Sequence, residues 1–186
     1  MFVPESLIQK AESISYKVST DTRQSVSGTI FFALSGENFD GSSFIDKALA
    51  DGAVGAVTDN KKLSGENIWV VENVLGTLQA LALLYREKFT IPIIAVGGSN
   101  GKTTTRELIK TVLQEKYKVH SSSGNLNNHL GLPLSILSMP KEAELGIFEI
   151  GANHQNEHLN LLSILKPTHV LVTNNGLDHL ECFCFL

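Results

Sequence analysis

"IIAVGGSNGKTTTRELIK", Ile93 to Lys110, is the stretch whose reading decides the fold. An apolar run stops at Gly97 and Gly98. Ser99, Asn100, Gly101, a lone lysine and three threonines follow. Glycines at a strand–helix junction let the backbone turn tightly and come close to a ligand. The amides of such a loop form a nest for anions, and the next helix aims its positive end at the same place. Lys102 adds a full positive charge, and Thr103 offers a hydroxyl oxygen to Mg²⁺. This is the design of a phosphate-binding loop. The long template G-x-x-x-x-G-K-[ST] is not met, because Val96 stands where its first glycine would be. The shorter G-x-x-G-K-T is met, from Gly98 to Thr103.

Working outward, strand-type and helix-type runs alternate. "IPIIAVG" (Ile91–Gly97) is apolar throughout, as in a strand buried on both faces. "KTTTRELIKTVLQEKY" (Lys102–Tyr117) predicts a helix with Leu108, Ile109, Val112 and Leu113 on its inner side. "LGIFEIG" (Leu145–Gly151) and "THVLVTN" (Thr168–Asn174) predict two more buried strands. The helix "NEHLNLLSILK" (Asn156–Lys166) lies between them. Upstream, "TIFFAL" (Thr29–Leu34), "AVGAVTD" (Ala53–Asp59) and "NIWVVEN" (Asn67–Asn73) read as strands. "SSFIDKALADG" (Ser42–Gly52), capped by Ser42 or Ser43, and "VLGTLQALALLYREKF" (Val74–Phe89) read as helices. This alternation is the grammar of helix-covered parallel sheets. The expected fold class is α/β: a small N-terminal α/β domain over residues 1–89, then the first part of a parallel-sheet P-loop ATPase domain over 90–186.

Bulk properties exclude several classes. The chain has 186 residues, 42% of them hydrophobic and 18% charged, enough for a packed core. A net charge of −4 offers no basic footprint for nucleic acid. No window approaches the roughly 18 apolar residues of a membrane span, and the N-terminus has no signal-peptide pattern. The two cysteines, Cys182 and Cys184, cannot build a disulfide framework. A monomer in the reducing cytoplasm is expected.

Other residues can do chemistry. Glu149 ends a predicted parallel strand, at the edge where ligands bind in such sheets, and Mg²⁺ takes one or two carboxylates. Asn125, Asn127 and Asn128 could bind a polar substrate or simply form a turn. "HQNEH" (His154–His158) fits H-x-x-E-H, so a zinc peptidase with Glu157 as base is a rival from another class. On the residues alone, His158 reads as a half-exposed helix residue. Asp21, Arg23, Asn38 and Asp40 could hold a polar ligand or cap turns.

Together, "GSNGKTT" (Gly98–Thr104) and "STDTR…GTIFFALSGENFDGSSFIDKALADGAVGAVTD" resemble the Mur ligase family of ATP-dependent peptidoglycan-precursor ligases. "GNLNNHLGLPLSIL" and "EIGANHQNEHL" are similar to the branch that adds the final dipeptide, more than to the one that adds the third residue. The resemblance runs from Ser19 to about Glu181. It implies an enzyme that joins D-Ala-D-Ala to UDP-N-acetylmuramoyl-tripeptide through an acyl phosphate, with ATP and Mg²⁺. It further implies that Gly98, Ser99, Asn100, Gly101, Lys102, Thr103 and Thr104 hold the phosphates, and that Thr103, Glu149 and His179 serve magnesium. Lys102, Glu149 and His179 form its catalytic set. Asp21, Thr22 and Arg23 would contact the uridine nucleotide, and Asn125, Asn127 and Asn128 would line the cleft. Family members are much longer, with a carbamylated lysine and a C-terminal domain past the His179 motif. The Cys182–Leu186 ending departs from the family's Gly-Phe-Gly and reads as a truncation. No turnover is therefore expected of this chain alone; a non-catalytic nucleotide-binding fragment is the alternative.

Overall fold

A computed structural model describes residues 3–36, 39–124, 126–151 and 157–174. It divides into two compact units, Met1–Leu81 and Ala82–Leu186. Among the described residues no helix is long and apolar enough to cross a membrane.

The first unit contains α1 (Glu5–Ser13), β1 (Val18–Ser19), β2 (Ile30–Phe32), α2 (Ile45–Ala50), β3 (Gly55–Thr58) and β4 (Ile68–Val70). Helix α3 (Val74–Arg86) runs past the division. The strands form a parallel sheet in the order β1-β2-β3-β4. Ile30, Phe31 and Phe32 are all buried, which explains the unbroken apolar run of β2. Ile45 and Ala48 of α2 pack on Phe31, Ala33 and Ala56. The Asp40 carboxylate accepts the Ser42 amide at 2.9 Å and opens a 3₁₀ turn (Gly41–Phe44) before α2. Asp40 thus does the capping expected of Ser42 or Ser43, because its side chain reaches the free amide two residues on.

The second unit holds β5 (Ile93–Gly97), α4 (Lys102–Leu113), β6 (Val119–Ser121), α5 (Gly131–Leu137), β7 (Leu145–Glu149), α6 (Glu157–Leu165) and β8 (His169–Val172). Its sheet is parallel, in the order β6-β7-β5-β8. Ile109 and Leu113 of α4 cover Val96, Leu145 and Ile147. Leu108 and Val112 do not face inward as the sequence suggested; they are 64% and 70% exposed. At 3.6 residues per turn, the side that carries Ile109 and Leu113 continues back through Arg106 to Lys102, and Leu108 and Val112 fall off it. The helix also stops at Leu113 rather than Tyr117.

Strand β8 corrects a second expectation. Its residues are exposed, not buried, because it stands last in the sheet and pairs only with β5. Helix α6 ends against Arg86, which donates from Nε to the Leu165 carbonyl at 2.7 Å and from a terminal nitrogen to that of Lys166 at 3.0 Å. The buried guanidinium thereby satisfies carbonyls that a helix end leaves open.

Candidate functional site

The site gathers at the carboxyl edge of the second sheet. The chain leaves β5 toward β6 on one side, while β8 lies on the other. This is the topological switch point where open α/β sheets bind ligands. Gly98 has φ +124°, and a Cβ there would stand 2.2 Å from Thr173 Oγ1 and 3.0 Å from the Asn174 carbonyl oxygen. Gly101, with φ +78°, turns the chain into α4. The first ladder bond of α4 runs from Thr105 N to the Gly101 carbonyl. The amides of Lys102, Thr103 and Thr104 come before it, at the positive end of the helix.

The far side of the loop is tied to the end of β8. Ser99 N donates to the Asn174 carbonyl at 3.2 Å, and Asn100 N donates to Asn174 Oδ1 at 3.0 Å. Thr173 Oγ1 donates to the Asn100 carbonyl at 2.6 Å. Lys102 Nζ curls over the loop and donates to the carbonyls of Gly98 at 2.7 Å and Ser99 at 3.1 Å. The ammonium therefore sits at the rim of the loop.

Beside the loop, Thr103 Oγ1 donates to Glu149 Oε2 at 2.8 Å. Asn127 Nδ2 donates to Glu149 Oε1 at 2.8 Å. The fold thus brings together three residues that are 46 and 22 positions apart in pairs. Only 4% of Glu149 is exposed. Hydroxyl and carboxylate oxygens side by side, with no nitrogen or sulfur, suit a hard cation such as Mg²⁺. Asn128 sits differently: its Oδ1 accepts the amides of Leu130 at 3.2 Å and Gly131 at 2.8 Å, at the start of α5. Asn125 and His179 lie outside the described residues.

Two residues that sequence reasoning passed over belong to this cluster. Arg106, 3% exposed, places a terminal nitrogen 3.5 Å from Glu149 Oε2 and 3.4 Å from Ser122 Oγ. Ser122 Oγ in turn accepts the Glu149 amide at 3.1 Å. The available signal was an arginine four positions after Lys102, on the helix side that leads inward to Ile109.

In the first unit, Arg23 grips both carboxylate oxygens of Asp21, at 2.7 to 3.0 Å. Those hydrogen bonds hold the Asp21 carboxyl down to about 2. Thr22 lies between them, half-buried. In "HQNEH", His154 lies outside the described residues and Glu157 pairs with His129 at 3.2 Å. His158 is buried, not half-exposed, in an apolar pocket with Ala95, Gly97, Leu162 and Val170, because α6 presses it onto the sheet. Among the described residues no three potential ligands gather for a metal ion.

Family models account for most of the chain. One described as "Mur ligase family, catalytic domain" matches residues 15–96, and one described as "Mur ligase middle domain" matches 96–184. The chain belongs to the Mur ligase family. The UDP-N-acetylmuramoyl-tripeptide–D-alanyl-D-alanine ligase of Synechocystis is 43% identical over 88% of this chain and 37% of its own length. The enzyme of the same name from Bacillus subtilis is 38% identical over 93% of this chain and 38% of its own length. This Mur ligase chain thus spans well under half of the relatives it matches. Among solved structures, MurF from Acinetobacter baumannii superposes with a TM-score of 0.83 at 31% identity, over 93% of this chain and 42% of its own. MurF ligase from Thermotoga maritima, in complex with ADP, gives 0.81 at 34% identity, over 90% of this chain and 39% of its own.

Proposed function

We propose that this Mur ligase chain supplies the uridine-nucleotide-sugar site and the phosphate half of the ATP site of a cytoplasmic, monomeric ligase that joins D-Ala-D-Ala to UDP-N-acetylmuramoyl-tripeptide. Residues 1–89 hold the nucleotide sugar, with Asp21, Thr22 and Arg23 against its uridine nucleotide. Residues 90–186 hold ATP, with Gly98 to Thr104 around the phosphates. The observation that carries the reading is the Thr103–Glu149 hydrogen bond at 2.8 Å beside the glycine loop. It sets two oxygen ligands where a phosphate-bound metal would stand.

Phosphoryl transfer asks little covalent work of a protein; positioning and charge neutralisation dominate. Lys102 would release the Gly98 and Ser99 carbonyls and turn its ammonium to the phosphates. Thr103 and Glu149, with His179, would hold magnesium, which neutralises charge on the transferring phosphoryl group. Asn127 would keep the Glu149 carboxylate turned toward Thr103, and Asn125 and Asn128 would border the cleft. In the complete ligase, the tripeptide carboxylate would accept the phosphoryl group. The D-Ala-D-Ala amine would then displace phosphate from that acyl phosphate.

Titration of the chain with fluorescent ADP, with and without Mg²⁺, tests the ATP half. Binding should tighten with Mg²⁺, and Lys102→Ala should weaken it about 10- to 100-fold, the worth of one charged hydrogen bond. Equal affinity in the wild type and Lys102→Ala would overturn the assignment.

A further inference from the structure

Arg106 is the one deeply buried cation at the carboxyl edge of the sheet among the described residues, and it touches three separate segments. From α4 it reaches Glu149 at the end of β7. It also reaches Ser122 Oγ at 3.4 Å and the Gly124 carbonyl at 3.5 Å, in the loop after β6. On its own helix it pairs with Glu107 at 2.6 Å. The loop that Arg106 touches goes on to Asn127, which itself binds Glu149. Ser122 Oγ accepts from the Glu149 amide. The contacts therefore close a ring: α4, β7 and the 122–128 loop each bind the other two.

We propose that Arg106 is a positioning residue that locks the 122–128 loop and the Glu149 carboxylate onto the phosphate-loop helix. The planar guanidinium suits this task, because its fixed fork of donors can serve a carboxylate and a loop together, which a lysine point charge cannot. Burial strengthens the dependence. Glu149 is nearly sealed from solvent, and a buried carboxylate without a cationic partner is strongly disfavoured. Its Nε–H has no acceptor among the described residues, so the guanidinium is held by its terminal nitrogens alone. Removing it frees the loop and the carboxylate together, whereas the apolar packing of Ile109 and Leu113 under the same helix stays.

The metal consequence rests on the phosphate-site reading above; the structural consequence does not. Backbone amide exchange of Arg106→Met, compared with wild type, reads the lock directly. Exchange should rise over residues 122–128 and 149–151 and stay unchanged in β5 and α6. Unchanged exchange in the loop, or a uniform rise through the second unit, overturns the proposal. Should Arg106→Met fail to fold, Arg106→Lys replaces it: charge is kept, the fork is lost, and the loop should show an intermediate rise. No rise with lysine overturns the need for a fork. In parallel, the Mg²⁺-dependent gain in fluorescent-ADP affinity should fall about tenfold or more in Arg106→Met, as on losing the support of a metal ligand. Affinity without Mg²⁺ should hold. A wild type that binds no ADP sinks the phosphate-site reading, and the exchange result then judges Arg106 by itself.

Discussion

Gly98→Ala should damage the site far more than Gly101→Ala, although both glycines sit in the same loop with positive φ. At Gly101 an added Cβ meets nothing within 4 Å. The cost there is the left-handed backbone alone, about 1–2 kcal/mol. At Gly98 the new carbon would lie 2.2 Å from Thr173 Oγ1 and 3.0 Å from two backbone atoms of the same segment. No rotamer change relieves a backbone clash, so the loop must part from the end of β8. That separation sacrifices the bonds from Ser99 N and Asn100 N to Asn174, and from Thr173 Oγ1 to the Asn100 carbonyl. At about 1 kcal/mol each, with backbone strain of about 1–3 kcal/mol, the total is about 4–6 kcal/mol. With a urea slope of about 1–3 kcal/mol/M, the midpoint of the second unit should drop by about 2 M or more. The single tryptophan, Trp69, reports on the first unit only, and its transition serves as an internal reference. Circular dichroism and exchange over residues 97–106 follow the second unit. Equal losses for the two alanine variants would refute the reasoning, since they would show that contact with β8 contributes nothing.

Thr103→Val keeps the shape of α4 but removes the hydroxyl bound to Glu149, so the Mg²⁺ enhancement of ADP binding should vanish while Mg²⁺-free binding persists in the same titration. Asn128→Ala deprives Leu130 N and Gly131 N of their acceptor; a loss of about 1–2 kcal/mol is expected in urea unfolding. Burial holds the His120 ring below its usual pKa, partly opposed by its bond to the Ser135 carbonyl. The unfolded chain thus binds the extra proton first. His120's contribution should be intact above about pH 6.5 and decline as pH falls below it, a slope that His120→Gln should flatten in urea melts. Arg23→Ala breaks an exposed pair and should leave stability unchanged. It should still lower the affinity for UDP-N-acetylmuramoyl-tripeptide by calorimetry if the Asp21–Arg23 turn contacts the nucleotide.

The α/β class was legible because both sheets are parallel, and parallel strands covered by helices read as apolar runs between amphipathic segments. Ile93–Gly97 and Leu145–Glu149 are such runs. Helix α5 escaped notice for the opposite reason. Gly131, Leu132, Pro133, Ser135, Ile136 and Leu137 are all buried, so the segment shows no polar face from which a helical period could be read. Its Gly and Pro also mimic a turn, yet Pro133 sits in the first turn, where a missing N–H costs no ladder bond. Strands β1 and β6, with two and three residues, are too short to carry a pattern.

The site divides along the same line. Sequence by itself determined the phosphate loop, because local backbone demands dictate its residues: glycine where φ is positive, and lysine and threonine at the head of a helix. It also marked Glu149 by its place at a strand end. Only the tertiary structure decided which partners that carboxylate has. Thr103, Asn127, Arg106 and Ser122 come from three segments, and nothing in the spacing of the chain states that β7 lies between β5 and β6. That order is fixed by which helix face finds which strand, a contest of long-range packing that leaves no local periodicity to read.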